Sequence, residues 1–227
     1  MVKVKICGIT NWPDAKKSCE EGANFLGFNF YRESPRYISP AAAGKIIKRL
    51  PKRIRAVGVF VNETEENILA TARIAGLHQV QLHGDESPEM IESVQRKFPV
   101  IRAVRVRGQL DSSRLGKFEN ADALLFDGFD GKQRGGTGKT FDWRGFCGIS
   151  LKKRVFLAGG LTPENVSEAI LVARPYAVDV CSGVESRPGK KDPRKVYAFM
   201  RAAKTRRTSG VNRRAKRNGT TKAGKKV

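Results

Sequence analysis

Eight short apolar stretches, at residues 2–7, 24–30, 54–61, 78–82, 100–106, 121–127, 154–158 and 177–181, recur along this chain with helix-forming sequence between them. Each is rich in Val, Ile, Leu or Phe and has the length of a strand. Their spacing of roughly 25 residues is that of one strand-plus-helix unit. Eight such units within residues 1–203 predict a closed (β/α)₈ barrel, a TIM barrel. An open doubly wound sheet is the competitor, and it usually stops at about five to seven strands. In either fold, chemistry belongs at the C-terminal ends of the strands.

Several of the intervening helices declare their starts. Ser39-Pro40, Ser87-Pro88, Thr162-Pro163 and Asp192-Pro193 each place a side-chain oxygen at the N-cap and proline at the first helical position. Asn62 with Glu65 has capping-box spacing. Gly22 and Gly76 stand where left-handed C-caps are expected. A helix over 110–119 carries Gly116 in its interior, which weakens it.

The net charge of +22 points first to a polyanion partner, so its position matters. Residues 204–227 hold ten Lys or Arg and no acid, and without them the chain has 34 basic and 22 acidic residues, a charge of +12. That segment has no Phe, Trp or Tyr, so it reads as a solvated, disordered basic tail rather than a base-stacking surface. No specific nucleic acid is expected. No run approaches the ~18 apolar residues of a membrane span, so no membrane is expected either. MVKVKICGIT reads as an alternating strand rather than a signal peptide. Four cysteines are scattered without C-x-x-C pairing, which excludes a zinc ribbon and makes a reducing cytoplasm the default home.

The strand ends carry the candidate residues. Alternation in the first strand puts Lys3, Lys5 and Cys7 on one face and Val4 and Ile6 on the other. A barrel then leaves Cys7 at the top of the interior, either as a small buried residue or as a reactive thiol. Lys5 beneath it needs a carboxylate, and Asp179 on the eighth strand is the candidate. Asp127 ends the sixth strand, as a turn residue or as an acid whose burial would hold its proton. The glycine-rich segment after it, 131–140, is not a P-loop because Gln133 stands where that motif needs glycine. A mobile loop closing over an anion fits it better. Gly159-Gly160 and Ser182-Gly183 follow the last two strands, where barrels usually bind phosphate. Arg36, after the second strand, is either a surface residue or a carboxylate clamp. His83, ending the fourth, reads as a hydrogen-bonded structural histidine or a positioning residue.

Together, KICGIT (5–10), SPRYIS (34–39), QLHGDES (81–87), LLFDGF (124–129), GGTGKTFDW (135–143), LAGGLTPENV (157–166) and DVCSGVESRPGKKD (179–192) resemble the phosphoribosylanthranilate isomerases of tryptophan biosynthesis. The resemblance runs from about residue 2 to 203 and leaves the tail outside. It implies a (β/α)₈ barrel that performs an Amadori rearrangement without metal, nicotinamide or flavin, as a monomer or homodimer. It carries the general base onto Cys7 and the general acid onto Asp127, and the anthranilate carboxylate onto Arg36. Phosphate falls to Gly159, Gly160, Ser182 and Gly183, and a closing loop to Gly136, Thr137, Gly138 and Lys139. Cys181 departs from the family, which commonly has serine there. Three rivals stay open at this point: the related histidine-pathway isomerase, which uses two aspartates; a basic nucleic-acid-binding protein; and a binding-only barrel.

Overall fold

In the computed structural model the described residues are 1–106, 118, 120–128 and 153–205. Eight parallel strands close into a barrel: β1 (Lys3–Ile6), β2 (Phe25–Asn29), β3 (Arg55–Phe60), β4 (Gln79–Leu82), β5 (Val100–Val106), β6 (Ala123–Gly128), β7 (Arg154–Leu157) and β8 (Ala177–Val180). Each expected strand forms, with its ends moved by no more than two residues. The ring closes where β8 pairs with β1, with Lys3 opposite Ala177 and Ile6 opposite Val180. That closure decides against the open sheet.

Six described helices clothe the ring: α1 (Trp12–Glu20), α2 (Pro40–Ile47), α3 (Glu65–Ala75), α4 (Pro88–Gln95), α5 (Val166–Ala173) and α6 (Pro193–Lys204). Period-two alternation divides the strands between two cores. Val4, Ile6, Leu26, Phe28, Leu124 and Phe126 point outward into the layer beneath the helices. Phe25, Val57, Ile101, Leu125 and Phe156 fill the barrel interior, with Phe25 and Phe156 edge to face at 5.3 Å.

Ser39, Ser87 and Asp192 cap α2, α4 and α6 as their Ser-Pro and Asp-Pro pairs require. Two expected caps are corrected. Thr64, not Asn62, caps α3. Asn62 instead turns the chain at φ +52°, and its side chain accepts from the Asp85 N–H at 2.6 Å. Helix α5 starts at Asn165 rather than Thr162, because the Asn165 side chain first holds the loop, accepting from Thr162 N and donating to the Gly160 carbonyl. Gly76 is the left-handed C-cap of α3, whereas α1 ends on Glu21 with Gly22 one residue beyond.

Helix α6 is amphipathic, burying Val196, Phe199, Met200 and Ala203. Its last residue is Lys204, whose ammonium donates to the Glu21 carbonyl at 2.8 Å. Helix α6 thus runs one residue past the expected 203/204 boundary, and 206–227 lie outside the described residues. So do residues 110–117 and 119 of the helix expected over 110–119. No described helix is long and apolar enough to cross a membrane.

Candidate active site

Alternation that sends Phe25 and Phe156 inward near the bottom of the barrel sends Cys7, His83, Asp127 and Cys181 inward at its C-terminal mouth. Beneath them lies a polar middle layer, which is unusual for a barrel core. Lys5, Gln81 and Asp179 are all at least nine-tenths buried there. The Lys5 ammonium meets Asp179 Oδ2 at 2.8 Å, the pairing that burial of a lysine demands. Burial pushes the Asp179 carboxyl up to about 7 against the opposing pull of Lys5. Burial alone opposes the Lys5 charge, yet Asp179 and then the Cys7 thiolate carry it above the ordinary lysine range.

Cys7 leaves β1 with its N–H on the Val180 carbonyl at 2.8 Å, so it sits beside Cys181 at the end of β8. A hydrogen bond from the Cys181 thiol holds the Cys7 thiol well below the usual range. Burial works against this, and the Lys5 and Lys191 ammonium groups reinforce it. Cys181 is pushed up by the same contact and by burial, so Cys7 is the more acidic thiol of the pair. Gly27 makes the room: a Cβ there would fall 2.7 Å from Cys7 Sγ and 3.2 Å from Lys5 Nζ.

Asp127 stands at the end of β6, across the mouth from β1. Its Oδ2 is 3.2 Å from His83 Nε2 at the end of β4. Gly159 lets the loop after β7 approach, since a Cβ there would lie 2.2 Å from Gly128 N and 2.9 Å from Asp127 Oδ1.

The paired glycines after β7 both have positive φ, +85° at Gly159 and +64° at Gly160. After β8 the chain enters a 3₁₀ turn over Ser182–Val184. A Cβ on Gly183 would fall 1.9 Å from the Leu161 carbonyl, so the two loops touch backbone to backbone. Gly159, Gly160, Ser182 and Gly183 are thus gathered in one half-exposed cradle. Gly136, Thr137, Gly138 and Lys139, expected to close over the site, lie outside the described residues.

Arg36 projects from the loop after β2 toward the same mouth; a Cβ on Gly8 would fall 2.8 Å from its Cδ and 3.0 Å from Cys181 Sγ. It is not a surface residue. Its fork is bidentate on Glu185, with Nε at 3.0 Å and 3.2 Å and Nη2 at 2.7 Å. Burial opposes the Arg36 charge, and Glu185 carries it above the usual arginine range. Lys191 braces Glu185 at 2.9 Å and reaches the Cys181 carbonyl at 3.2 Å. Glu185, Lys191, Gln81 and Asn165 are not singled out by the sequence alone. Glu185 and Lys191 lie within DVCSGVESRPGKKD, which is the signal that could have found them.

A closed barrel with a lysine-supported thiolate on one side of its mouth and a carboxyl group on the other is the arrangement of a (β/α)₈ isomerase working by proton transfer. The chain belongs to the N-(5′-phosphoribosyl)anthranilate isomerase family, whose model matches residues 4–202. The N-(5′-phosphoribosyl)anthranilate isomerase of Pelobacter propionicus is 46% identical over 211 residues, covering 93% of this chain and 100% of its own. The crystal structure of the Thermotoga maritima phosphoribosyl anthranilate isomerase superposes with a TM-score of 0.85 at 46% identity, covering 90% of this chain and 99% of that one. A phosphoribosyl anthranilate isomerase in complex with reduced 1-(o-carboxyphenylamino)-1-deoxyribulose 5-phosphate superposes at 0.81 with 44% identity, covering 90% and 99%.

Proposed function

We propose that this chain converts N-(5-phospho-D-ribosyl)anthranilate to 1-(2-carboxyphenylamino)-1-deoxy-D-ribulose 5-phosphate, an Amadori rearrangement of L-tryptophan biosynthesis. Family membership and the complex of a relative with a reduced form of that product support the substrate. The observation that carries the mechanism is the facing of Cys7 and Asp127 across one barrel mouth, with the Cys7 thiolate held by Cys181, Lys5 and Lys191.

Ring opening needs a proton delivered to the ribose ring oxygen as its bond to C1 breaks. Asp127 donates it and becomes a carboxylate. The resulting protonated Schiff base makes the C2 proton acidic. Cys7 removes that proton as a thiolate, giving an enolamine that becomes the ketone by proton shifts alone. The backbone cradle of Gly159, Gly160, Ser182 and Gly183 takes the phosphate. Arg36, aimed into the mouth by Glu185, takes the anthranilate carboxylate.

The test is loss of substrate fluorescence when phosphoribosylanthranilate is generated in situ and purified protein is added. Rapid loss, abolished by Cys7→Ala, is expected. Turnover of the histidine-pathway substrate in place of this one would overturn the assignment.

A further inference from the structure

His83 touches Asp127, yet the steps above give it no role. Its other ring nitrogen decides what it does. Nδ1 lies 2.8 Å from Gln81 Nε2, on the same inward face of β4 one alternation below. Gln81 is 1% exposed, and its Oε1 is buried without a hydrogen-bond partner among the described residues. Turning the amide would present Oε1 to the ring but would leave both N–H donors of Nε2 buried without partners, in place of one donor and one acceptor. Orphaned donors are the costlier and rarer of the two. The amide therefore donates to Nδ1. A neutral imidazole that accepts at Nδ1 carries its proton on Nε2, and that nitrogen faces Asp127 Oδ2.

We infer that His83 is a positioning residue for the general acid: Gln81 fixes its Nε2–H tautomer, and that N–H donates to the Asp127 carboxylate left after proton transfer. The donation occupies Oδ2 and leaves Oδ1, which faces Gly159, for the substrate. Donation to the carboxylate stabilises the charge that Asp127 acquires as its proton passes to the ring oxygen. The inference rests on the reading of Asp127 as the acid.

Other charges surround the pair. Arg105 on β5 donates to the His83 carbonyl at 3.2 Å and approaches Asp85 at 3.4 Å. From β8, Asp179 lies close enough to feel the Asp127 charge and is itself paired with Lys5. None of these contacts is made by the His83 side chain, so its replacement leaves their partners in place.

Two measurements test it. The chain has only two histidines, and His78 Nδ1 accepts from Ala56 N at 2.9 Å, which supplies an internal reference for an Nε2–H ring. With ¹⁵N-histidine and no substrate, His83 should show the Nε2–H tautomer above the imidazole titration range in wild type. An Nδ1–H ring there overturns the inference whatever the enzyme turns over. In the rate profile, His83→Ala should lower kcat about tenfold with KM little changed. His83→Gln, which retains a donor at that depth, should recover most of that loss in kcat. Equal kcat in wild type and His83→Ala would overturn the role. Absence of isomerase activity in wild type would instead count against the assigned reaction and leave the tautomer result standing.

Discussion

Cys7 and Cys181 directly follow Ile6 and Val180, which pair in register on neighbouring parallel strands, so the two cysteines stand at the same level of the barrel, and the Cys181 thiol holds the Cys7 thiol below its ordinary range. Both are free thiols. Strands spaced about 4.8 Å apart bring their α-carbons into the ~4.4–6.8 Å range of a disulfide. Hydrogen peroxide is expected to oxidise the Cys7 thiolate to a sulfenic acid, with its O–O bond cleaved and water released. The Cys181 thiol then attacks that sulfur, forms the S–S bond and expels a second water. Peroxide should inactivate the enzyme with a loss of two hydrogens by mass, and dithiothreitol should restore it. Cys181→Ser, lacking the trapping thiol, should recover less fully. Equal recovery in the two proteins would show that Cys181 protects nothing.

Replacing either proton-transfer group should leave the fold and remove the reaction. Cys7→Ala and Asp127→Asn are each expected to lower kcat by about 10²–10⁴-fold with an unchanged thermal midpoint. Turnover near wild type in either variant would sink the assignment of base or acid.

Glu185 braces Arg36, the residue proposed to clamp the anthranilate carboxylate. Arg36→Met should raise KM about tenfold or more with kcat little changed, since a carboxylate contact is made equally in ground and transition states. Glu185→Gln keeps the shape but removes the charge that aims the fork, and a smaller rise in KM is expected. Steady-state kinetics on both variants decide this, and an unchanged KM in Arg36→Met would return that residue to a structural role.

Lys5 and Asp179 set a pH dependence whose sign follows from burial. Asp179 binds its proton more tightly in the folded chain, up to about 7 against an ordinary 3.8. That contribution to stability is complete below about pH 4 and is lost as pH rises through about 7. Above that range Lys5 is what compensates the charge. Lys5→Met should therefore destabilise by about 3–5 kcal/mol at pH 8, where it leaves a buried carboxylate unpaired. The loss should shrink at pH 5, where Asp179 holds a proton. Urea midpoints at the two pH values measure it, and a deficit that does not change with pH would contradict the raised Asp179.

Much of the site is legible in the sequence because it obeys a period of two. Cys7 follows Lys5 and Lys3 on one face of β1, so alternation alone gives its inward direction. Asp127 and Cys181 follow their strands in the same way. Caps are legible where Ser-Pro or Asp-Pro stands directly before the helix. They fail at Asn62 and Thr162, where loop contacts from Asp85 and Asn165 hold the chain in another conformation. Arg36 looks like a surface residue by composition, and Glu185 accounts for its burial.

The amino-acid sequence by itself determined the eight-fold recurrence, the direction of each strand's side chains and the family. All three are local or linear properties, carried by backbone geometry and by residues adjacent in the chain. Tertiary structure alone decided which side chains meet. Lys5 pairs with Asp179 across 174 residues of chain, and Arg36 with Glu185 across 149. Cys7 stands level with Cys181, and His83 reaches Asp127, only because the strands adopt one register as the ring closes. Alternation says which face a residue occupies and is silent about its height relative to a strand elsewhere in the chain. Register is set by the packing of the whole barrel, so the chemistry at its mouth emerges only when the ring is complete.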